Sequence, residues 1–484
     1  MQTKAQRFIF QALGLAAFAS LTSSAQSTDA LLDKLVDKGI ITVDEANELR
    51  DQSDKDFNSA YQVRSGMPDW VTSLRIGGDF RGRYEMFQSE DPTFVDRHRF
   101  RYRIRPGIVA TIRDNFEVGF RLTSSEAQGT FGGDPISGNT TFQDNASKKF
   151  AFIDLAYGKW TAVNNPDWSL SLTVGKMENP FVFSDMVFDG DYTPEGLAQQ
   201  FSFNVADGHQ IKFNLGEFVL DEVSTSSRDP YMFGAQLRLD SVWNKHITTS
   251  LGIGALTMTS EQNLSETAAG PSTTVAVVNS SGQVMNTSGQ VYDPADPAQR
   301  IQTRTLPGAS ASSTVPNVNS GNTRNGGILA NNFNPYVADA ALTYTLDSFP
   351  MYNAPFPIRF AAEYMNNPAA DEHNEGYSFG ITFGKSGKKG LWDVSYRWKH
   401  LEADAWYEEV VDSDFGGLRP SSGTTRAAYA SGTNVEGHIL KATYSPYDSL
   451  TLGVTYFLAE LIANVPGDFD ENIGRLQLDA VWKF

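Results

Sequence analysis

From Val71 to the end of the chain, apolar and polar residues alternate with a period of two in more than a dozen separate stretches. The clearest stretch reads RHRFRYRIRP and places arginine at every second position, with Phe100, Tyr102 and Ile104 between the arginines. Successive side chains of a β-strand point to opposite faces of the sheet. The pattern therefore predicts an all-β fold whose strands are apolar on one face and polar on the other.

The connections between the predicted strands alternate between short turns and long polar loops. A short turn occupies Arg113–Asn115, and the strand ends are rich in Tyr, Trp and Phe up to the terminal Phe484. The long loops are 126–147, 177–208, 260–335 and 409–434. This sorting, with aromatic residues at the strand ends, is typical of a transmembrane β-barrel. A secreted β-sandwich also alternates in polarity, but its loops do not sort into short and long.

The number of strands follows from parity. If both chain ends lie on the periplasmic side, the strand count is even and the long loops fall at alternate connections. We count fifteen strands directly, and dividing 209–223 into two strands with a turn around Asn214–Glu217 gives sixteen. We therefore predict an antiparallel transmembrane barrel of about sixteen strands over residues 67–484, wide enough for a water-filled lumen. Loop 177–208 is predicted to fold inward, and loop 260–335 to be a mobile external loop.

The N-terminal part of the chain predicts export. Lys4 and Arg7 precede the apolar run 8–21, and the small residues Ser23 and Ala25 fit the pattern before a signal-peptide cleavage site. We assign residues 1–25 to a signal peptide and residues 26–66 to a short periplasmic helical hairpin and linker. No later stretch has the roughly 18 consecutive apolar residues that a membrane-spanning helix needs. The predicted location is the outer membrane of a Gram-negative bacterium, crossed many times by strands.

Composition and motifs exclude several classes of function. The chain has no cysteine, so disulfides, thiolate metal sites and cysteine nucleophiles are ruled out. Its net charge of −18 makes it a poor binder of nucleic acid. The six histidines are scattered, and neither HExxH nor GxSxG occurs. We predict no enzyme activity, no cofactor and no metal, and the segment before the barrel is too short for the plug domain of a TonB-dependent transporter.

The arginines of the early strands are the first candidate site residues. An arginine facing lipid costs about 2–4 kcal/mol at the bilayer midplane, so these side chains are expected to face the lumen. The predicted lumen arginines are Arg75, Arg81, Arg83, Arg99, Arg101, Arg103, Arg105 and Arg121. Asp79, Glu85 and Glu117 stand on the same faces and could merely pair with them. Because the arginines outnumber these acids, we expect a positively charged column in contact with water.

The second candidate is the acidic segment GKMENPFVFSDMVFDGDYTPEGLAQQF, residues 175–201. Its apolar side chains favour a loop packed inward on the barrel wall. Its acids are Glu178, Asp185, Asp189, Asp191 and Glu195. Facing the arginine column, they are predicted to form a constriction whose transverse field sets ion preference. The alternative is that DGDYTPEG is a surface cation site.

The LLDKLVDKGIITVDEANELR hairpin, the alternating arginines, the GKMENPF…FDGDYTPEG loop and the terminal Phe resemble a bacterial outer-membrane putative-porin family, near the phosphate- and polyphosphate-type porins. The resemblance implies passive diffusion of small hydrophilic solutes and ions through an outer-membrane barrel, often a homotrimer. We expect a porin that is general or weakly anion-selective. The alternative is a structural or adhesive barrel without a transport role. The arginines have no clear lysine cluster beside them, so phosphate specificity is not predicted.

Overall fold

The fold is known from a computed structural model. It describes residues 68, 70–89, 96–128, 132–134, 136–223, 226–264, 274–276, 303–305, 321–325, 328–416, 432–463 and 472–484. The predicted signal peptide 1–25 and the helical segment 26–66 lie outside the described residues. In the described part of the chain, no helix is long and apolar enough to cross a membrane.

Sixteen long antiparallel strands form one closed sheet, in which each strand pairs with its neighbours along the chain and the last strand pairs with the first. The strands are β1 (Val71–Ser89), β2 (Arg97–Ile112), β3 (Phe116–Ser125), β4 (Phe150–Asn164), β5 (Trp168–Lys176), β6 (Glu195–Ala206), β7 (His209–Val219), β8 (Tyr231–Val242), β9 (Ile247–Thr259), β10 (Tyr336–Leu346), β11 (Phe356–Asn366), β12 (Glu375–Gly384), β13 (Trp392–Leu401), β14 (Val435–Tyr447), β15 (Leu450–Leu461) and β16 (Ile473–Lys483). The predicted sixteen-stranded barrel is confirmed.

The C-terminal residue completes the closure. Phe484 N–H donates to the Gly78 carbonyl at 3.1 Å, and Gly78 N–H donates to the Phe484 carbonyl at 2.9 Å. A Cβ on Gly78 would lie 2.2 Å from the Arg105 carbonyl oxygen, so the backbone of β2 approaches too closely for a side chain there. The two ends of the sheet are therefore joined by backbone hydrogen bonds.

Two of the sixteen strands differ from the prediction. The division of 209–223 around Asn214–Glu217 is wrong, because β7 runs unbroken through that region. The sixteenth strand is instead β6, which occupies the C-terminal part of the predicted loop 177–208. β6 and β7 are joined by the two-residue turn Asp207–Gly208, in which Gly208 has φ +76°. An Asp-Gly pair between alternating stretches is a strong hairpin signal, and this one was overlooked.

The two faces of the barrel differ in polarity as the alternation predicts. On β2, Phe100, Ile104 and Ile108 point outward and are 58%, 40% and 45% exposed. Their neighbours Arg101 and Arg103 are buried. The outer face of the strands is thus apolar and suited to lipid, and the charged side chains point into the barrel.

Candidate functional site

The segment between β5 and β6, residues 177–194, lies against the inward-facing side chains of the barrel. The side-chain amide of Gln236 on β8 accepts from Val182 N–H and donates to the Val182 carbonyl, both at 2.9 Å, and Ser184 N–H donates to Glu363 on β11 at 3.0 Å. Asp185 pairs with Arg397 on β13. The segment therefore contacts widely separated strands and passes across the interior of the barrel.

Glycines on the wall let the aromatic side chains of this segment approach the sheet. A Cβ on Gly234 would lie 2.4 Å from the ring of Phe181, and one on Gly216, its partner across β7 and β8, would lie 2.9 Å from the same ring. Gly254 on β9 leaves room in the same way for Phe183. A side chain at these positions would occupy the space of the rings, so the wall and segment 177–194 are fitted to each other.

Three of the predicted arginines hold the other end of this segment. Arg103 Nη1 lies 2.6 Å from Asp191 Oδ2, and Arg105 Nη1 lies 3.0 Å from Asp191 Oδ1. Asp79 on β1 accepts from both arginines, at 3.1 and 2.7 Å. Arg81 lies 4.0 Å from Asp191. We call these three arginines, Asp79 and Asp191 the lower cluster; it carries three cations and two carboxylates.

A second group of arginines surrounds Glu85, whose side chain is fully buried. Its carboxylate lies within ion-pair distance of four arginines: Arg83, Arg99, Arg101 and Arg475. Asp479 forms an ion pair with Arg83 at 2.7 Å, and Asp414 forms one with Arg475 at 2.7 Å. We call these four arginines with Glu85, Asp414 and Asp479 the upper cluster; it carries four cations and three carboxylates.

These pairings correct the expectation of an open positive column. The side chains of Arg99, Arg101, Arg103 and Arg105 are 14%, 7%, 7% and 18% exposed, so little of each faces a water-filled space. The acids that enclose them come partly from the wall and partly from loops that the strand pattern could not place. The arginines of β2 point inward, but carboxylates compensate most of their charge.

The remaining predicted arginines, Arg75 and Arg121, and the acids Glu178 and Glu195 form ion pairs outside these two clusters. Arg121 on β3 pairs with Asp154 and with Glu178. Arg75 pairs with Glu117 at 3.3 Å, with its side chain 71% exposed. Glu195 is not in the inward segment at all: it begins β6 and pairs with Lys176 at 3.2 Å.

A second loop packs on the first inside the barrel. Trp406 is fully buried and its Nε1–H donates to the Val187 carbonyl at 2.9 Å. Backbone hydrogen bonds join Asp189 to Val410 at 2.8 Å and Asp412 to Asp185 at 2.9 Å. Residues 402–416 therefore cover residues 185–189, and the two loops form a single packed unit with the wall of β7–β13.

Part of the predicted external loop 260–335 joins this unit. The Asn322 amide donates to the carbonyls of Ala403 and Trp406 at 2.6 and 2.7 Å. Phe333 is fully buried and contacts the Trp406 ring edge-to-face, with centroids 6.1 Å apart. The described residues of this loop near β10 are thus ordered by packing, contrary to the expectation of a wholly external mobile loop.

Burial and neighbouring charges act differently on the three loop aspartates. Burial alone raises the pKa of Asp191, but Arg103, Arg81 and Arg105 outweigh it and hold that pKa below the usual 3.8. Burial is likewise outweighed at Asp185, whose pKa is lowered by Arg397 and Lys399. Burial raises the pKa of Asp189 well above 3.8, and the nearby Asp412 and Asp191 raise it further. Asp191 and Asp185 are therefore the anionic attachments of the segment.

No group of three or more His, Asp or Glu side chains among the described residues is arranged to hold a metal ion. The acids of the DGDYTPEG stretch are instead paired with other groups of the protein. Asp189 accepts from the Ser413 backbone at 3.1 Å, Asp191 binds arginines, and Glu195 pairs with Lys176. The geometry does not favour the alternative of a cation site there.

Polar cavities remain beside the loops. One of about 530 Å³ is lined by residues of both arginine clusters, of both loops and of β14–β16. Another of about 860 Å³ lies at the short-turn end of β6–β11. Both have polar and charged walls, so they can hold water and hydrophilic solutes.

Comparison with known proteins identifies the family. A family model described as "Putative porin" matches residues 87–484, which is most of the chain and nearly all of the barrel. The chain belongs to this porin family. The family and the sixteen-stranded barrel together make it an outer-membrane porin, and both point to a channel protein. No curated protein matches the porin.

Solved structures similar to the porin include Pseudomonas putida OprB, Salmonella typhi OmpF and Rh. blastica porin, each at low sequence identity. The high-pH structure of Pseudomonas putida OprB is 10% identical, covers 87% of this chain and 96% of that one, and gives a TM-score of 0.45. Salmonella typhi OmpF in complex with daunomycin is 10% identical, with 85% and 97% coverage and a TM-score of 0.42. A mutant of Rh. blastica porin is 10% identical, with 85% and 100% coverage and a TM-score of 0.38.

Sequence reasoning missed several residues of the porin's interior. Arg475 lies on the last strand, far in sequence from the arginines it joins. Asp412 and Asp414 lie in the stretch WYEEVVDSDF, which mixes acids with apolar residues as segment 175–201 does. That shared pattern was the available signal for a second inward loop. The partner of each acid, by contrast, depends on how the loop crosses the lumen.

Proposed function

We propose that this porin passes small hydrophilic solutes and ions by passive diffusion through a water-filled lumen that segment 177–194 narrows. The observation that carries the proposal is the attachment of Asp191 to Arg103 and Arg105, six residues after the attachment of Asp185 to Arg397. The segment is thereby fixed across the interior, and polar cavities of about 860 and 530 Å³ lie beside it. A narrowed, hydrated lumen selects solutes by size and by charge.

The proposed ion preference is weakly anionic. The two arginine clusters contain seven cations and five carboxylates, so two positive charges remain when all groups are ionised. Because the surplus is small and partly buried, it produces only a modest bias in the lumen. The arginines act in two ways: they attach the narrowing segment, and they leave a small positive surplus beside the path.

We also propose that the porin functions as a homotrimer in the outer membrane, as the family resemblance implies. Its support is the apolar outer face, which presents side chains such as Phe100 and Ile253 that a neighbouring copy or lipid can cover. Chemical cross-linking of the protein purified in mild detergent tests this. A ladder ending at three copies supports the trimer, and a single monomer band contradicts it.

Swelling of proteoliposomes tests the proposed diffusion. Vesicles containing the porin are placed in isotonic solutions of uncharged sugars of increasing size. Swelling with monosaccharides that slows steeply for larger oligosaccharides supports a narrowed diffusion pore. Vesicles that swell with no sugar would favour the alternative of a structural or adhesive barrel.

A further inference from the structure

The cations of the arginine clusters are paired, but Arg359 and Lys441 elsewhere on the inner wall are not. Arg359 on β11 and Lys441 on β14 have exposed side chains, and no hydrogen bond or ion pair joins either one to another described residue. Both line one cavity of about 410 Å³ inside the barrel. The charge of both cations is therefore available to a solute in this cavity.

The same row of the sheet carries two unpaired hydroxyls. Arg359 is directly opposite Thr382, Thr382 opposite Ser395, and Ser395 opposite Lys441. Neighbouring strands are about 4.8 Å apart, so the row spans roughly 14 Å between its end backbones. Two long flexible cations at the ends can reach toward the two hydroxyls between them. Neither hydroxyl has a hydrogen-bond partner among the described residues.

The acids around this cavity are already occupied. Asp339 accepts from Arg238 at 2.9 Å, and Asp185 pairs with Arg397. Glu363 accepts from Ser184 N–H at 3.0 Å and from its hydroxyl. Asp339 and Asp185 lie near Arg359 and Lys441 in this cavity, but no carboxylate of the described residues is hydrogen-bonded or ion-paired to either cation, so an anion can bind to both.

We infer that Arg359, Thr382, Ser395 and Lys441 form a binding site for small divalent anions with oxygen acceptors, through which such solutes pass. Arginine and lysine give charge-assisted hydrogen bonds to anionic oxygens, and the hydroxyls donate to the remaining ones. The shared chemistry fits a compact oxyanion or a short dicarboxylate. The inference rests on the proposed function, because the site needs an open lumen to be reached.

Block of chloride current tests the site. The porin is reconstituted in planar bilayers in KCl, and sulfate or succinate is added as the probe at increasing concentration. Each probe is expected to reduce the wild-type current by occupying the site. The double variant Arg359→Gln/Lys441→Gln is expected to raise the half-blocking concentration at least about tenfold, as loss of charge-assisted hydrogen bonds implies. Block by sulfate alone indicates a compact oxyanion, and block by succinate alone a dicarboxylate.

Two further variants separate a site from a general field. Lys212→Gln removes a wall cation that is already paired with Asp240 at 2.8 Å, and it should leave the block unchanged. Thr382→Val/Ser395→Ala keeps all charges and should weaken the block several-fold. The inference would be overturned if Lys212→Gln weakened the block as much as the site variants do. It would also be overturned if none of the four site substitutions weakened the block. A wild-type channel that conducts chloride without any block also overturns it while leaving the porin function intact, whereas absence of conduction counts against the proposed function.

Discussion

Arg103 Nη1 lies 2.7 and 2.6 Å from the two carboxylate oxygens of Asp191, although the two residues are 88 positions apart in the chain. One belongs to the wall and the other to the segment that crosses the interior. Charge-assisted contacts of this length, largely shielded from water, are among the stronger polar interactions in proteins. This pair fixes the end of segment 177–194 against β2.

Asp191→Asn is expected to loosen that end of the segment. The neutral amide loses its charge interaction with Arg103, Arg105 and Arg81, so the segment spends more time away from the wall. Single-channel recordings should show larger and noisier conductance. Glu195→Gln is the matched control, since Glu195 is an exposed acid directly after the segment and forms an ion pair with Lys176, not with the arginines. An unchanged recording for Asp191→Asn, or an equal change in the control, would contradict this role.

Glu85→Gln is expected to destabilise the barrel. The fully buried Glu85 carboxylate compensates four arginines, and removing one partner of a buried ionic cluster typically costs about 3–5 kcal/mol. Urea unfolding in detergent micelles, followed by tryptophan fluorescence, measures the loss.

Asp347→Asn is the control for that experiment. Asp347 forms an ion pair with Lys245 in which both side chains are about 70% exposed. Water screens such pairs, so we expect no measurable change in the unfolding midpoint. Equal midpoints for Glu85→Gln and the wild type would show that the upper cluster does not stabilise the fold.

Gly234→Val is expected to displace Phe181 from the wall. The new Cβ would lie 2.4 Å from the ring, and overpacking of this kind costs about 1–3 kcal/mol. Conductance should change together with stability, because the ring belongs to the narrowing segment. Gly158→Val on β4 is the control, as a Cβ there meets no atom within 4 Å. Wild-type conductance and stability in Gly234→Val would mean that the ring does not position the segment.

Acid is expected to release the segment only at low pH. The arginines hold the pKa of Asp191 below the usual 3.8, so its stabilising contribution is present above that value and is lost as the pH falls through the lowered pKa. Single-channel conductance should stay constant from neutral pH to about 4 and rise below it. Asp191→Asn should lack this step. A step near neutral pH in the wild type would assign the attachment to another group.

The strand pattern predicted the barrel because its cause is local. Lipid outside and water inside require alternation within each strand, so the outward Phe100 and inward Arg101 could be assigned from sequence alone. β6 was missed because the alternation of Glu195–Ala206 followed directly on the acidic segment, and the Asp207–Gly208 turn was overlooked. Alternation within a strand was sufficient to assign each side chain to the lipid face or the lumen face.

The pairing of the arginines depends on contacts that are distant in sequence. Glu85 is adjacent in sequence to neither Arg475 nor Arg99, and Asp414 reaches the upper cluster only because its loop folds over segment 177–194. Loop paths are set by packing of residues such as Trp406 and Phe333, which have no periodic signal. The sequence could therefore predict that the arginines face the lumen and could offer pairing with Asp79 and Glu85 as an alternative, but it could not predict that acids such as Asp414 and Asp479 complete the compensation.

The proposed function requires an open pore that segment 177–194 narrows and that weakly prefers anions. Planar-bilayer recording with a KCl gradient across the membrane measures both properties at once. We predict stable channels in the wild type. Their reversal potential should be small and should have the sign expected when chloride crosses more readily than potassium. In the variant Arg101→Ala/Arg103→Ala the reversal potential should shift toward that of a cation-selective channel. Membranes that never conduct, or a strongly cation-selective wild type, would contradict the account.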